Sequence, residues 1–309
     1  MKKLILLTAI FFLIGCGGGE TAVPAPTHTP ASFNRQALLE NIINQIAIPA
    51  HKDFAAAAVE LETAVTTFTN NPTLANLEVA QEAWRDAAVG RTSLLTFRLG
   101  LVDDSLLHSR LDNRPARDSF IEDSIAGDVP IDAAFIDAIG SSSIGLGALE
   151  YLLFDPTGGN EAVLARFTEA ENAERRREYL LGVAQNLPLK ANDLLQVWLP
   201  EGENYAQLFI DADMDGGELQ GSLNMLVNQM VADLEEILGT RMGKPTGNNA
   251  NGQARPDLVE SPFAFWSLPR IEATLAMMHT IYTGGDGMGF DDYLDFVAAK
   301  GEGTCRCRR

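Results

Sequence analysis

The stretch FNRQALLENIINQIAIPAHKDFAAAAVELETAVTTF, Phe33 to Phe68, decides the fold class. Its apolar residues Leu38, Ile42, Ile46, Phe54, Val59, Leu61, Val65 and Phe68 recur at spacings that fit one stripe of a 3.6-residue helix. Pro49 falls inside the stretch. Proline lacks an N–H and clashes with the preceding turn, so a kink or break is expected there. Asn70-Asn71-Pro72-Thr73 reads as a turn that stops this helix and starts the next. From Thr73 to about Phe97 a second stripe places Leu74, Leu77, Ala80, Trp84, Ala88 and Leu95 on one side. No segment shows sustained period-two alternation between hairpin turns. The class is all-α.

Working outward, Gly100 to Gly140 is irregular and rich in Asp, with room for one or two short helices. Ile144 to Phe154 is a compact apolar segment closed by Asp155-Pro156-Thr157-Gly158-Gly159. A charged helix is expected from Glu161 to about Trp198, its Glu and Arg side chains forming a solvated face. Pro200 to Gly217 is the best boundary between halves, followed by an amphipathic helix over Leu219 to Leu238. A Gly/Asn-rich loop spans Arg241 to Pro256, and a strong helix covers Pro262 to Tyr282. The organisation is thus two packed helical bundles, residues 33–199 and 200–309.

The N-terminus reads as an address. Met1-Lys2-Lys3 carries positive charge, Leu4 to Ile14 is apolar but too short to remain as a membrane span, and Leu13-Ile14-Gly15-Cys16 resembles a bacterial lipobox. Residues 1–15 are expected to be removed as a signal peptide and Cys16 to carry the acyl anchor. Residues 16–32, with Gly17-Gly18-Gly19 and Pro24, Pro26 and Pro30, form a flexible tether. Gly17 after the cysteine resembles the sorting pattern of outer-membrane lipoproteins, which implies the periplasmic face of that membrane.

The chain of 309 residues carries 23 basic and 42 acidic side chains, a formal charge of −19. Loss of Lys2 and Lys3 with the signal peptide takes it to −21. Such acidity excludes nucleic acid as a partner, because a phosphate backbone calls for clustered Lys and Arg. Three cysteines and four histidines exclude a disulfide scaffold or a His-rich metal store. Cys305 and Cys307, in a basic tail unlike the chain before it, read as a frayed terminus more readily than as a metal pair.

Several residues carry chemistry of their own. Glu150 ends an apolar helical turn, so one side of it is buried, and a buried carboxylate needs a charge or donors beside it. Arg85 on a neighbouring helix is the expected partner. Glu150 then reads either as a ligand or metal carboxylate or as half of a structural ion pair. His51, His108 and His279 show no paired spacing. His51 or His279 could meet Glu150 in space, or each could be an ordinary packed or surface histidine. Ser261 and Ser267 lack a nucleophile elbow, and Ser261 before Pro262 reads as a helix N-cap. Asp211, Asp213 and Asp215, followed by Gly216, match the first half of a calcium loop. Position eight is Glu218 and position twelve Ser222, so weak calcium binding and a plain acidic linker both remain open. Gly284-Gly285-Asp286-Gly287-Met288-Gly289 reads as a flexible turn.

An ordered set of segments resembles the imelysin family of exported bacterial proteins. Ile48-Pro49-Ala50-His51-Lys52-Asp53-Phe54 is similar to its kinked first helix, and Ala83-Trp84-Arg85 to its Trp/Arg segment. Gly145 to Phe154 falls where the family carries Gly-x-His-x-x-Glu and an apolar run. Glu260-Ser261-Pro262-Phe263 to Ser267-Leu268 is similar to its Glu-Ser…Ser-Leu helix. The resemblance implies two helical bundles with a site between them built around Glu150, Gly145, Gly147, Arg85, Ser261 and His51. Family members are linked to iron uptake, and the family name records a protease. One departure matters: Gly147 stands where the motif has His. The resemblance therefore implies a binding component in iron or other metal acquisition, taking Fe or Zn and working with iron-uptake proteins. A metallopeptidase, or a docking scaffold with a degenerate site, are the alternatives.

Overall fold

The side chain of Asn34 accepts the Ala37 N–H and so starts the first helix, α1 (Arg35–Asn41). The computed structural model describes residues 32–212 and 221–299, and no strand occurs among them. A π-helical stretch, Ile42–Ala47, carries the chain directly into α2 (Ile48–Asn70), with Pro49 in its first turn. The interruption expected at Pro49 therefore takes the form of a widened turn just upstream. Such a turn absorbs the backbone hydrogen bond that proline cannot donate.

Thr73 caps α3 (Leu74–Ser93) by accepting the Asn76 N–H. Its buried face runs Leu77, Ala80, Gln81, Trp84, Ala87, Ala88, Arg91 and Thr92, a three-four spacing that lies on one side of a helix. A 3-10 turn, Leu95–Phe97, and four short helices follow: α4 (Leu101–Asp104), α5 (Leu107–Leu111), α6 (Asp118–Ala126) and α7 (Ala133–Ala138). They precede the apolar α8 (Gly145–Leu153).

The charged segment divides into α9 (Gly159–Thr168) and α10 (Ala173–Trp198). Its arginines are not all on a solvated face. Arg175 donates to the carbonyls of Ser124, Ile125 and Val129, and buried Arg176 lies 2.5 Å from Glu122. These side chains tie α6 and the loop after it to α10. After α11 (Tyr205–Asp211) come α12 (Ser222–Glu236), a π-helical stretch Ile237–Arg241 and α13 (Gly243–Thr246). The last helices are α14 (Ser267–Thr283) and α15 (Phe290–Ala299). The turn between these two is pinned, since Asn41 Nδ2 donates to the carbonyls of Gly284 and Met288 at 2.8 and 2.9 Å.

From Asn34 onward the described residues form one compact unit. α10 packs along α2, α2 along α3, and α3 along α14. The core between them is apolar and aromatic, with Phe54, Phe68, Trp84, Phe167, Tyr179 and Trp198 all buried. Among the described residues no helix is long and apolar enough to cross a membrane.

Candidate functional site

α8 lies against both α3 and α10, and every residue in it except Tyr151 is buried. Its entry depends on Gly145, whose φ of +67° is a conformation L side chains rarely adopt. The carbonyls of Arg110 and Leu111 also fill the space a Cβ would need there. Two side chains of α3 hold the helix in register. Trp84 Nε1 donates to the Leu146 carbonyl at 2.9 Å, and Gln81 Nε2 to the Leu153 carbonyl at 2.8 Å. This scaffold fixes Glu150 in place with 1% of its surface exposed.

Both carboxylate oxygens of Glu150 are engaged. Oε2 lies 2.5 Å from Arg114 Nη1, and Oε1 accepts the backbone N–H groups of Phe263 and Ala264 at 3.1 and 3.0 Å. Arg114 also reaches the Glu260 carbonyl at 2.5 Å, Ser261 Oγ at 3.2 Å and Asp112 Oδ1 at 2.7 Å. The other oxygen of Asp112 accepts from Arg270 Nη2. Glu260 in turn lies 3.0 Å from Arg270 Nε and 2.7 Å from Arg241 Nη2. The result is an alternating lattice of guanidinium and carboxylate groups drawn from the 112–116 loop, α8, the Ile237–Arg241 stretch, the 257–264 segment and α14. It lines a cleft of about 510 Å³, together with Arg91, Arg98 and His108.

Charge coupling in this lattice shows in the titration of its members. Burial pushes the Asp112 carboxyl up, but the charges of Arg114, Arg270 and Arg91 outweigh it and hold the group well below the usual carboxylate range. Burial pulls Arg114 down, yet Asp112, Glu150 and Glu260 leave it held above its ordinary value. His108 is pushed far below the ordinary imidazole range by burial and by the charge of Arg91. It is therefore neutral, and its Nδ1 accepts from Arg91 Nη2 at 2.7 Å.

Of the residues expected at the site, Glu150 and Gly147 line the cleft, and Ser261 adjoins it through Arg114. The expectations for Arg85, His51 and a cap at Ser261 need correction. Arg85 is not the partner of Glu150: it pairs with Glu82 at 2.7 Å and stacks 5.2 Å from the ring centre of Trp266. Arg114 takes that role, because the loop after α5 brings it over the end of α8. His51 is absent from the cleft wall and sits in the aromatic core. Its Nδ1 contacts the Ala47 carbonyl at 2.7 Å, and its Nε2 accepts from Trp198 Nε1 at 3.1 Å. Burial lowers its pKa to about 4, so it is a neutral packing group with both nitrogens engaged. His279 is exposed on α14. Ser261 is no N-cap, since α14 begins at Ser267, whose Oγ accepts the Ser261 N–H at 2.9 Å. The intervening Pro262–Trp266 turn aims its N–H groups at Glu150 instead. Cys16, Asp213 and Asp215 lie outside the described residues. Asp211 closes α11, and Ser222 donates to the Phe209 carbonyl at the start of α12.

The cleft's donors do not fit a directly coordinated Fe or Zn ion. Its inner carboxylates, Asp112, Glu150 and Glu260, are taken up by guanidinium groups, Glu236 stands alone at the exposed rim, and the one imidazole is bound to Arg91. Among the described residues no group of three or more His, Cys, Asp or Glu is arranged to hold a metal. At the motif position, a Cβ on Gly147 would lie 2.8 Å from the Asn113 carbonyl, so the loop carrying Arg114 occupies room that a side chain there would need.

The sequence profile of imelysin matches residues 47–302. The chain belongs to the imelysin family. It is 26% identical over 253 residues to iron-regulated protein A of Synechococcus elongatus, an overlap of 80% of this chain and 64% of the relative. This imelysin-family chain thus spans less than two thirds of that relative's length. Two solved structures share its fold. An iron-regulated protein A precursor of Parabacteroides distasonis superposes with a TM-score of 0.66 at 21% identity, covering 86% of this chain and 78% of that one. An imelysin-like protein of Psychrobacter arcticum gives 0.65 at 16% identity, covering 86% and 77%.

Proposed function

We propose that this imelysin-family protein is a non-catalytic binding component in iron acquisition, held in the cell envelope by an acyl anchor at Cys16. On this reading it faces the periplasm from the outer membrane and passes its cargo to iron-uptake proteins. Its similarity to an iron-regulated relative supports the iron connection, and the lipobox-like N-terminus supports the address.

One observation carries the choice of binding over catalysis: Glu150, the carboxylate of the family motif, has both oxygens committed to Arg114 and to two backbone N–H groups. A general base needs a free lone pair within reach of the water or group it deprotonates. Three of the roughly four lone-pair positions of Glu150 are taken, the remaining one lies on the oxygen already paired with Arg114, and the position that would supply an imidazole is Gly147. The same arrangement makes the cleft rigid and charged, which suits recognition. The test is accumulation of radiolabelled iron in cells lacking the gene, under iron limitation, against cells complemented with the wild-type chain. Reduced accumulation restored by complementation is expected. Unchanged accumulation overturns the acquisition reading.

A further inference from the structure

The hydrogen-bonding capacity of the residues around the cleft is unbalanced in one direction. Every buried side-chain N or O atom without a partner among the described residues is an N–H donor, and none is an acceptor. In the cleft wall, Arg241 Nη2 and Arg270 Nε lie within ion-pair reach of Glu260. The nitrogens that remain are Arg91 Nε and Nη1, His108 Nε2, Arg114 Nη2 and Arg270 Nη1. Because His108 accepts through Nδ1, its proton sits on Nε2, which makes that atom a donor too.

Charge is unbalanced in the same sense. Four inner guanidinium groups, Arg91, Arg114, Arg241 and Arg270, face three inner carboxylates, Asp112, Glu150 and Glu260. The excess falls on Arg91, which is 2% exposed. No carboxylate lies within ion-pair distance of it among the described residues, and its partner is the neutral His108. A buried guanidinium with no carboxylate in ion-pair contact is costly, and here it occurs in a chain whose net charge is −19. The acidic groups at the rim do not cancel it. Asp103 is paired with Arg98, Asp257 with Arg255, and Glu236 is exposed to solvent.

We infer that the cleft binds a small oxyanion, a carboxylate or phosphate, with Arg91 as the residue that recognises it and Arg114 and Arg270 completing the field. Guanidinium forks match such oxygens in geometry as well as charge. The volume of about 510 Å³ holds more than a bare anion, so a metal chelate built on carboxylates also fits. The assignment rests on the binding reading above and names its ligand class.

Calorimetry on the purified full-length chain in metal-free, low-salt buffer tests it, with citrate and inorganic phosphate titrated separately and ferric citrate as a third arm. At least one anion is expected to bind one-to-one, more weakly as salt is added. Arg91→Gln is expected to lower that affinity by about tenfold or more, while Arg166→Gln, outside the cleft, changes it by about twofold at most. Without ligand, Arg91→Gln is expected to melt at or above the wild-type temperature, because a buried charge with no ion-pair contact is gone. If Arg91→Gln does not fold, Arg91→Lys decides through the same titration, weakened binding being the expected result. Ferric citrate binding more tightly than citrate identifies a chelate as the source, and equal affinities identify the free anion; both support the assignment. Silence with every anion, or full affinity in the Arg91 variant, overturns it. The citrate and phosphate arms contain no iron. Their silence would leave the acquisition reading standing, whereas unchanged iron accumulation in cells would leave anion binding standing.

Discussion

Arg114 Nη1 stands 2.5 Å from Glu150 Oε2, while Nε of the same guanidinium holds Asp112 at 2.7 Å. One side chain therefore bridges the buried carboxylate of α8 to the loop that walls the cleft. Removing one member of a buried pair strands the other, at a cost of about 3–5 kcal/mol. Glu150→Gln retains an acceptor for the Phe263 and Ala264 N–H groups, so about 3 kcal/mol of lost stability is expected. Arg114→Met should cost a similar amount, and the double variant less than the sum. Urea melts of the four chains give the coupling directly. Additive losses would mean that the two groups do not act as a pair.

Arg85 provides the contrast. Its ion pair with Glu82 is an exposed helix-surface contact, of the kind worth about 0.3–0.5 kcal/mol. Its remaining contribution is stacking against Trp266 and Phe154. Arg85→Ala is expected to cost about 1 kcal/mol, well short of Arg114→Met in the same denaturant assay. A loss equal to that of Arg114→Met would restore Arg85 to the centre of the site.

Gly147 tests whether the family's imidazole can be put back. A Cβ at this position lies 2.8 Å from the Asn113 carbonyl and 3.6 Å from Arg114 Cγ. The atom it would strike is backbone, which cannot swing aside as a side-chain tip can. Gly147→Ala is expected to destabilise by about 1–3 kcal/mol and Gly147→His by at least as much. Fe or Zn titrations on Gly147→His should give no site that involves Glu150, because Arg114 still occupies that carboxylate. Tight metal binding in this variant, lost again on adding Glu150→Gln, would refute the account.

The helical fold was open to a reading of periodicity because each long helix buries one stripe. Phe54, Leu61, Val65 and Phe68 on α2, and Leu77, Trp84 and Ala88 on α3, are in the core as their spacing implies. Glu150 was legible for a similar reason, as a lone charge in an apolar turn. Its partner was not. Arg114 sits in Asp112-Asn113-Arg114-Pro115, outside any periodic segment, and Glu260, Arg241 and Arg270 are more than ninety positions from Glu150 in sequence. No spacing rule connects groups that meet only through tertiary packing. The one available signal was an Arg-Pro turn in an Asp-rich stretch, a weak pointer to an ordered loop. His51 misled because its helical position says nothing about Trp198, the group that consumes its second nitrogen.

The two buried histidines give the molecule an acid sensitivity that can be measured. His51 has a folded pKa lowered by burial from 6.5 to about 4, and His108 is lowered further by burial and Arg91. Between those values and 6.5 the unfolded chain binds protons that the native state does not, so stability falls as pH drops through this window. Each histidine contributes a slope of about 1.4 kcal/mol per pH unit once the unfolded imidazole is charged. Asp112 works in the same direction at lower pH, since its folded carboxyl is held below the usual range and must be protonated on unfolding. Its contribution is complete above the ordinary carboxylate pKa and is lost as pH falls beneath it. Melting temperatures taken from pH 7 down to pH 4 should therefore decline steadily, and His51→Gln should remove about half of the slope between pH 6 and 5. A wild-type profile flat across that interval would mean that these imidazoles titrate as freely in the folded chain as in the unfolded one.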